Sequence, residues 1–317
     1  MRFIFILFAF SLFAVDFDCV VVGTSPFSLF EALYQAHSGK RVLILEEGNE
    51  CGGAWKSITI CGISHADLGC HQIGHDKPLQ AFLEEYAGCH LVSLDDPLIS
   101  FTETTKSSNG YYFSQGCFEL IDHLLQLIQK TDILLLLNHK LEHVWIDPSQ
   151  TFATLKANDK QLTTSKIITT PMSCFSIDNV PSRFNKSKHY HLYMLIQDPT
   201  PPRFGYQAGT SSGVSRLMNL THFVGLTNTG RQLLVFQTHS EISLTQGTTF
   251  LDDLKKRELL DPSAYILTSE SYIYEQGHGS QQKHSAIFET INTGHFQSLS
   301  NYIAKWKQVL KPFKENL

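Results

Sequence analysis

The sequence has no basic block. Its 25 Lys and Arg are scattered among 30 Asp and Glu, for a net charge of -5. A protein that grips nucleic acid by its phosphates needs a concentrated cationic stripe, so that class is excluded. There is also no Cys-x-x-Cys. The seven cysteines, Cys19, Cys51, Cys61, Cys70, Cys89, Cys117 and Cys174, are widely spaced and odd in number. A structural zinc knuckle has no ligand pattern here, and at least one thiol has no partner within the chain. Long apolar runs are absent too: the longest spans 13 residues, Phe3 to Val15, against the roughly 20 that cross a bilayer. Internal repeats and low-complexity stretches are missing. The most informative shortage is local, because a turn that should be rich in glycine holds one.

What is present is an ordinary globular composition, 42% hydrophobic and 17% charged over 317 residues, enough to bury a large core. One basic residue, the apolar run and then Asp16 and Asp18 give residues 1–15 the form of a secretory signal, with Ala14 as the cleavage site, or of a hydrophobic anchor. The expected location is therefore the secretory pathway or outside the cytoplasm, with membrane association through this segment as the anchor alternative. Two N-x-S/T sequons, at Asn185 and Asn219, are compatible with that route.

"DCVVVG" is a short, continuous apolar run with β-branched residues, as for a strand buried on both faces. Ser25 and Pro26 then read as an N-cap and first helical residue, and Gly39 closes the helix. "RVLILE" is a second buried strand. Strand, helix, strand with short turns predicts a parallel βαβ unit. Further on come a helix over "KPLQAFLEEYAG" closed by Gly88, a tight hairpin turning at Asn109-Gly110, and an amphipathic helix over "CFELIDHLLQLIQK". The strands "DILLLL", "KLEHVWI", "TFATLKA" and "SKIITTP" follow. Residues 176–284 are poor in helical periodicity, and "HYHLYMLIQ", "THFVGLT", "RQLLVFQT" and "SAYILTS" read as strands of a β-rich second domain. The chain ends in an amphipathic helix capped by Ser298 or Ser300.

A βαβ unit binds a dinucleotide when three conditions hold. Backbone amides after the first strand reach the diphosphate, the helix N-terminus points at it, and an acid at the tip of the second strand accepts from a ribose. Gly23 meets the first need, and Glu46 lies 23 residues later, close to the spacing of about 20. Ser25 and Ser28 stand where the second and third glycines of G-x-G-x-x-G belong, which predicts weakened binding and looser helix packing.

Downstream, "LILEEGNECGGAW" sets Gly52 and Gly53 six and seven residues after Glu46, and "ICGISHADLGCHQIG" supplies an Asp67-x-Gly69 stretch. "GCFELIDHLLQLI" and "IITTPMS" follow in turn. This order resembles the FAD-binding superfamily of flavin amine oxidases, phytoene desaturases, UDP-galactopyranose mutases and Rab GDP-dissociation inhibitors. The resemblance covers 18–75 and 116–175 best, and is weaker at "NTGHFQSLSNYIAKW". It implies an α/β fold: a Rossmann-like FAD-binding domain with a parallel sheet from 16–80, 116–175 and 285–317, and a β-rich substrate or cap domain from 81–115 and 176–284. It implies that Gly23, Thr24, Ser25, Pro26, Phe27 and Ser28 face the diphosphate and that Glu46, with Glu47, faces the ribose. Gly52, Gly53, Ala54, Trp55, Gly69, His71, Gly294 and His295 would line the phosphate and flavin side. The implied activity is FAD-dependent oxidation of a small molecule or lipid. The alternatives are a non-catalytic binding protein on the same scaffold and a redox-neutral, sugar-mutase-like flavoenzyme.

"GTSSG" at 209–213 fits G-x-S-x-G, but "PPRFGYQA" before it is a poor buried strand, so a loop is expected rather than a nucleophile elbow at Ser211. His65, His71 and His75 would need a helix to share a face, and Gly69 and Gly74 argue against one.

Overall fold

The computed structural model describes residues 15–69, 73, 77–93, 111–170, 175–181, 185–208, 213–278, 286–291 and 302–308. The first unit is β1 (Cys19–Val22), α1 (Pro26–His37) and β2 (Val42–Leu45), followed by a hairpin of β3 (Ser57–Ile60) and β4 (Ile63–Asp67). Then come α2 (Lys77–Glu85), β5 (Leu91–Ser93), β6 (Tyr111–Phe113), α3 (Cys117–Gln129) and β7 (Leu134–Leu136). Next are β8 (Leu141–Ile146), β9 (Ala153–Ala157), β10 (Lys160–Thr164), β11 (Ile167–Thr169), β12 (Ser176–Ile177) and β13 (Val180–Pro181). The last part holds β14 (Asn185–Gln197), β15 (Tyr206–Ala208), β16 (Val214–Asn219), β17 (Arg231–Thr238), α4 (Leu244–Lys256), β18 (Tyr265–His278) and β19 (Phe288–Thr290).

Three five-stranded sheets result. The first, ordered β19-β11-β1-β2-β7, is parallel throughout. Its central strands are buried on both faces, and the period of two divides them between two cores. Cys19, Val21, Val42 and Ile44 pack with α1 and α3, while Val20, Val22, Leu43 and Leu45 pack with Leu141, Val144 and Leu155 of the second sheet, β10-β9-β8-β12-β13. The third sheet, β15-β16-β17-β14-β18, is antiparallel. One face, carrying Leu192, Met194, Ile196, Leu234 and Phe236, is covered by Phe250, Leu251 and Leu254 of α4. Its other face puts Tyr193, Leu195, Met218, Leu220, Leu233 and Val235 into the same core as α1 and α3. The fold is thus α/β, a Rossmann-like parallel sheet joined through one shared apolar core to a β-rich lobe.

Two sequence expectations are corrected. Residues 244–256 form α4, within a stretch whose poor helical periodicity suggested no helix. The helix starts at a capping box in which Ser243 Oγ accepts from the Gln246 amide and Gln246 answers the Ser243 amide. "THFVGLT" is a series of turns: the Thr221 hydroxyl donates to Asn219 Oδ1 at 2.5 Å, the Phe223 and Val224 amides donate to Leu220 O, and Gly225 has φ +71°. The hairpin turn expected at Asn109-Gly110 lies outside the described residues; Tyr111 pairs with Ser93 of β5 and bridges to Ile73. Asn219 is 1% exposed, and its amide donates to Gln232 Oε1 at 2.7 Å, so this sequon sits in the interior.

The N-terminal segment 1–14, Ser211, His71, His75, Gly294, His295, Ser298 and Ser300 lie outside the described residues. Among the described residues no helix is long and apolar enough to cross a membrane, and no group of three or more His, Cys, Asp or Glu is placed to hold a metal.

Candidate functional site

The site is built where β1 turns into α1. Gly23 has φ +91°, a conformation side chains resist, and a Cβ there would meet nothing within 4 Å, so the turn borders open space. Its amide donates to Leu45 O at 2.8 Å, fastening the turn to β2. Ser25 caps α1: its Oγ accepts from the Ser28 amide at 3.3 Å and lies 2.9 Å from Ser28 Oγ. Ser28 is 1% exposed and fully satisfied, and Leu29 and Leu33 of the same helix stay 0% and 1% exposed. The serine in place of the third glycine is therefore absorbed into the hydrogen bonding of the helix start.

Glu46 stands at the tip of β2, half-buried. Its Oε1 accepts from the Gly48 amide at 2.8 Å and its Oε2 from the Thr24 hydroxyl at 2.5 Å. Thr24, 1% exposed, also accepts from the Gly52 amide at 3.0 Å. One hydroxyl thus ties together the turn after β1, the acid after β2 and the double-glycine loop. Gly52 needs to be glycine, since at φ +114° a Cβ would lie 2.9 Å from Lys56 Cα. The exposed Gly53 comes close to the turn: a Cβ on it would be 3.9 Å from Ser25 N. Beside them is Cys51, whose thiol burial pushes up to about 11; the hydrogen bond with Thr24 opposes that rise and the charge of Glu46 adds to it.

Other expected site residues have different surroundings. Glu47 pairs with Lys140 at 3.0 Å on the surface and does not join Glu46. The rings of Phe27 and Trp55 meet edge to face at 5.9 Å, Trp55 also meets Phe113 at 6.1 Å, and Phe27 lies nearly parallel to Trp306 at 6.2 Å. These aromatics belong to the packing behind the turn. Pro26 is buried at the first position of α1, where its missing N–H costs the helix nothing, and Ala54 lies in the short helical turn Gly53–Trp55.

The Asp67-x-Gly69 stretch joins the two lobes. The buried Asp67 carboxylate accepts from the Cys117 amide at 3.0 Å, capping α3, and from the hydroxyls of Ser57 and Tyr112. The Tyr193 hydroxyl, arriving from β14, donates to Asp67 O and accepts from the Gly69 amide, both at 2.8 Å. Gly69 is glycine because a Cβ would lie 2.9 Å from His191 Cε1. The sequence reading missed Thr24 as a hub, and Tyr193 and His191 as partners of this turn. Only the position of Thr24, between two residues already singled out, offered a signal.

The donor set suits a dinucleotide. Open space borders Gly23, α1 directs its N-terminus there, the exposed Gly53 adds no side chain, and the Glu46 oxygens keep lone pairs for sugar hydroxyls.

Residues 21–86 match the family model of the NAD(P)-binding Rossmann-like domain. No curated protein matches the chain in sequence. Solved structures match over nearly its whole length. Cyclohexylamine oxidase from Brevibacterium oxydans aligns with TM-score 0.67 at 12% identity, covering 95% of this chain and 99% of that one. Putrescine oxidase bound to putrescine aligns with TM-score 0.65 at 12% identity, over 94% and 98%. Rab GDI from Plasmodium falciparum aligns with TM-score 0.59 at 12% identity, over 93% and 98%. Residues 21–86 are thus similar to a Rossmann-like domain, and the chain as a whole has the fold that these amine oxidases share with Rab GDI.

Proposed function

We propose that the protein is an FAD-dependent oxidoreductase acting on a small molecule or lipid. The observation that carries this reading is the Thr24 hub, which holds Glu46 at the tip of β2 beside a turn that opens at Gly23. The amides at the start of α1 bind the diphosphate, Glu46 accepts from the adenosine ribose, and the Gly52-Gly53 loop closes over the phosphate side. Bound FAD supplies the hydride acceptor. The Asp67, Tyr112 and Tyr193 hydrogen bonds fix the wall between the lobes, which orients substrate and excludes water.

A second reading, a non-catalytic binding protein, is favoured by one detail. Ser25 Oγ already takes the Ser28 amide, one of the donors a diphosphate would use. Purified full-length protein separates the two. Flavin absorbance near one per chain, or a thermal midpoint that rises with added FAD, supports the oxidoreductase. A colourless protein that FAD does not stabilise overturns it. Stabilisation by NAD in place of FAD would keep the site and change the cofactor.

A further inference from the structure

The start of α1 is short of donors for an anion. Pro26 has no N–H, the Ser28 amide is spent on Ser25 Oγ at 3.3 Å, and the Leu29 amide donates to Ser25 O at 3.0 Å. A helix N-terminus holds phosphate through such amides, so a diphosphate at this turn needs another group to make up the difference.

The two serines supply it. Their hydroxyl oxygens lie 2.9 Å apart, which uses one hydroxyl proton and leaves the other spare. Burial decides which. Ser28 is 1% exposed, and among the described residues its hydroxyl has no partner but Ser25. If Ser25 donated, the Ser28 proton would be shut in without an acceptor, and a buried unsatisfied donor is costly. Ser28 therefore donates. Ser25 Oγ then accepts from both the Ser28 amide and the Ser28 hydroxyl, which fills its lone pairs and leaves its own O–H with no partner among the described residues.

Ser25 is half-buried and neighbours both glycines of the site. A Cβ on Gly23 would meet nothing within 4 Å, and one on Gly53 would meet Ser25 N first, at 3.9 Å, so neither loop closes over the turn. A phosphate entering that space comes within reach of the spare proton.

We propose that Ser25 Oγ is a direct ligand of the diphosphate, donating its hydroxyl proton to a phosphate oxygen in place of the amides that Pro26 and the cap have removed. The serine where the second glycine belongs then adds a donor as well as a side chain. The position of the diphosphate rests on the dinucleotide site of the oxidoreductase reading; the spare proton rests on the serine pair alone.

The test uses ADP, which carries the diphosphate without a flavin, and adenosine, which carries no phosphate. Each is titrated against purified full-length protein at fixed ionic strength, with binding read by thermal midpoint. Ser25→Ala should weaken ADP by about tenfold or more, the worth of one hydrogen bond to a charged group, and leave adenosine within about twofold. Ser25→Thr, which keeps the hydroxyl, should restore ADP. If Ser25→Ala does not fold, Ser25→Cys, of similar shape but with a weak S–H donor, should still weaken ADP and spare adenosine. Wild-type protein that ignores ADP, ADP affinity unchanged in a folded variant, or adenosine weakened as much as ADP overturns the proposal. FAD bound alongside an ADP affinity that Ser25→Ala does not change defeats the hydroxyl and keeps the oxidoreductase. ADP held through Ser25 by a protein that FAD does not stabilise keeps the hydroxyl and defeats the oxidoreductase, so the two failures are distinguishable.

Discussion

At the scale of single residues, Thr24 makes the most specific prediction. Valine matches its shape but removes a hydroxyl that donates to Glu46 and accepts from Gly52. Leaving the buried Gly52 amide unsatisfied should cost about 1–3 kcal/mol. A lower denaturation midpoint in Thr24→Val, with weaker FAD binding, checks this. Cys51 offers a second handle. A thiol raised from 9.0 to about 11 has ~100-fold less thiolate at pH 8, so iodoacetamide should label Cys51 about that much more slowly than an unstructured cysteine, as mass spectrometry can follow. The spacing from Gly23 to Glu46 to Gly52 was legible in the sequence, because the left-handed backbone at 23 and 52 calls for glycine and the acid ends an unbroken apolar strand. The hub was not. A threonine reads the same whether its hydroxyl meets water or three parts of a fold.

Among the elements, α1 is held from behind as well as from the sheet. Glu31, wholly buried on it, takes Lys305 Nζ at 2.5 Å and Trp306 Nε1 at 3.1 Å from the helical turn 302–308, and Gln35 Nε2 at 2.7 Å. Trp306 also stacks on Phe30 at 5.0 Å. Removing one partner of a buried ion pair leaves an uncompensated charge, so Lys305→Ala should destabilise by about 3 kcal/mol. Glu31→Gln, which keeps an acceptor for the indole, should cost less. Denaturant titration of both variants decides, and equal costs would count against the pair. The strands and helices of the parallel unit were legible because burial on both faces leaves an unbroken apolar run. By contrast α4 was missed although its Ser243-x-x-Gln246 box was visible. Its exposed face is polar and its surroundings are β-branched, so composition outweighed the cap. "THFVGLT" failed the other way, since its Phe223 is buried from a turn and apolarity alone does not distinguish turn from strand.

For the whole molecule, acid stability follows from where carboxylates are paired. The Arg41 hydrogen bond holds Asp18 below its ordinary 3.8. Glu289 is pushed up by burial, but Lys166 at 2.5 Å outweighs this and holds it below 4.5. Because both folded-state values are depressed, their stabilisation is complete above the ordinary carboxylate range and drains away as pH falls through the folded values. The thermal midpoint should therefore fall below about pH 4, and less steeply in Asp18→Asn; an identical pH profile would count against the pairing. The two-lobed plan itself was readable from the order of motifs. Which sheet face meets the first lobe was not, because that depends on register across strands far apart in sequence. The interior position of Asn219 carries one more consequence. Oligosaccharide is attached to an emerging, still extended polypeptide, and a sugar tree at this asparagine would have no room between β16 and β17. For a secreted molecule, modification here and completion of the third sheet are mutually exclusive, so the native population would be the one the transferase passed over.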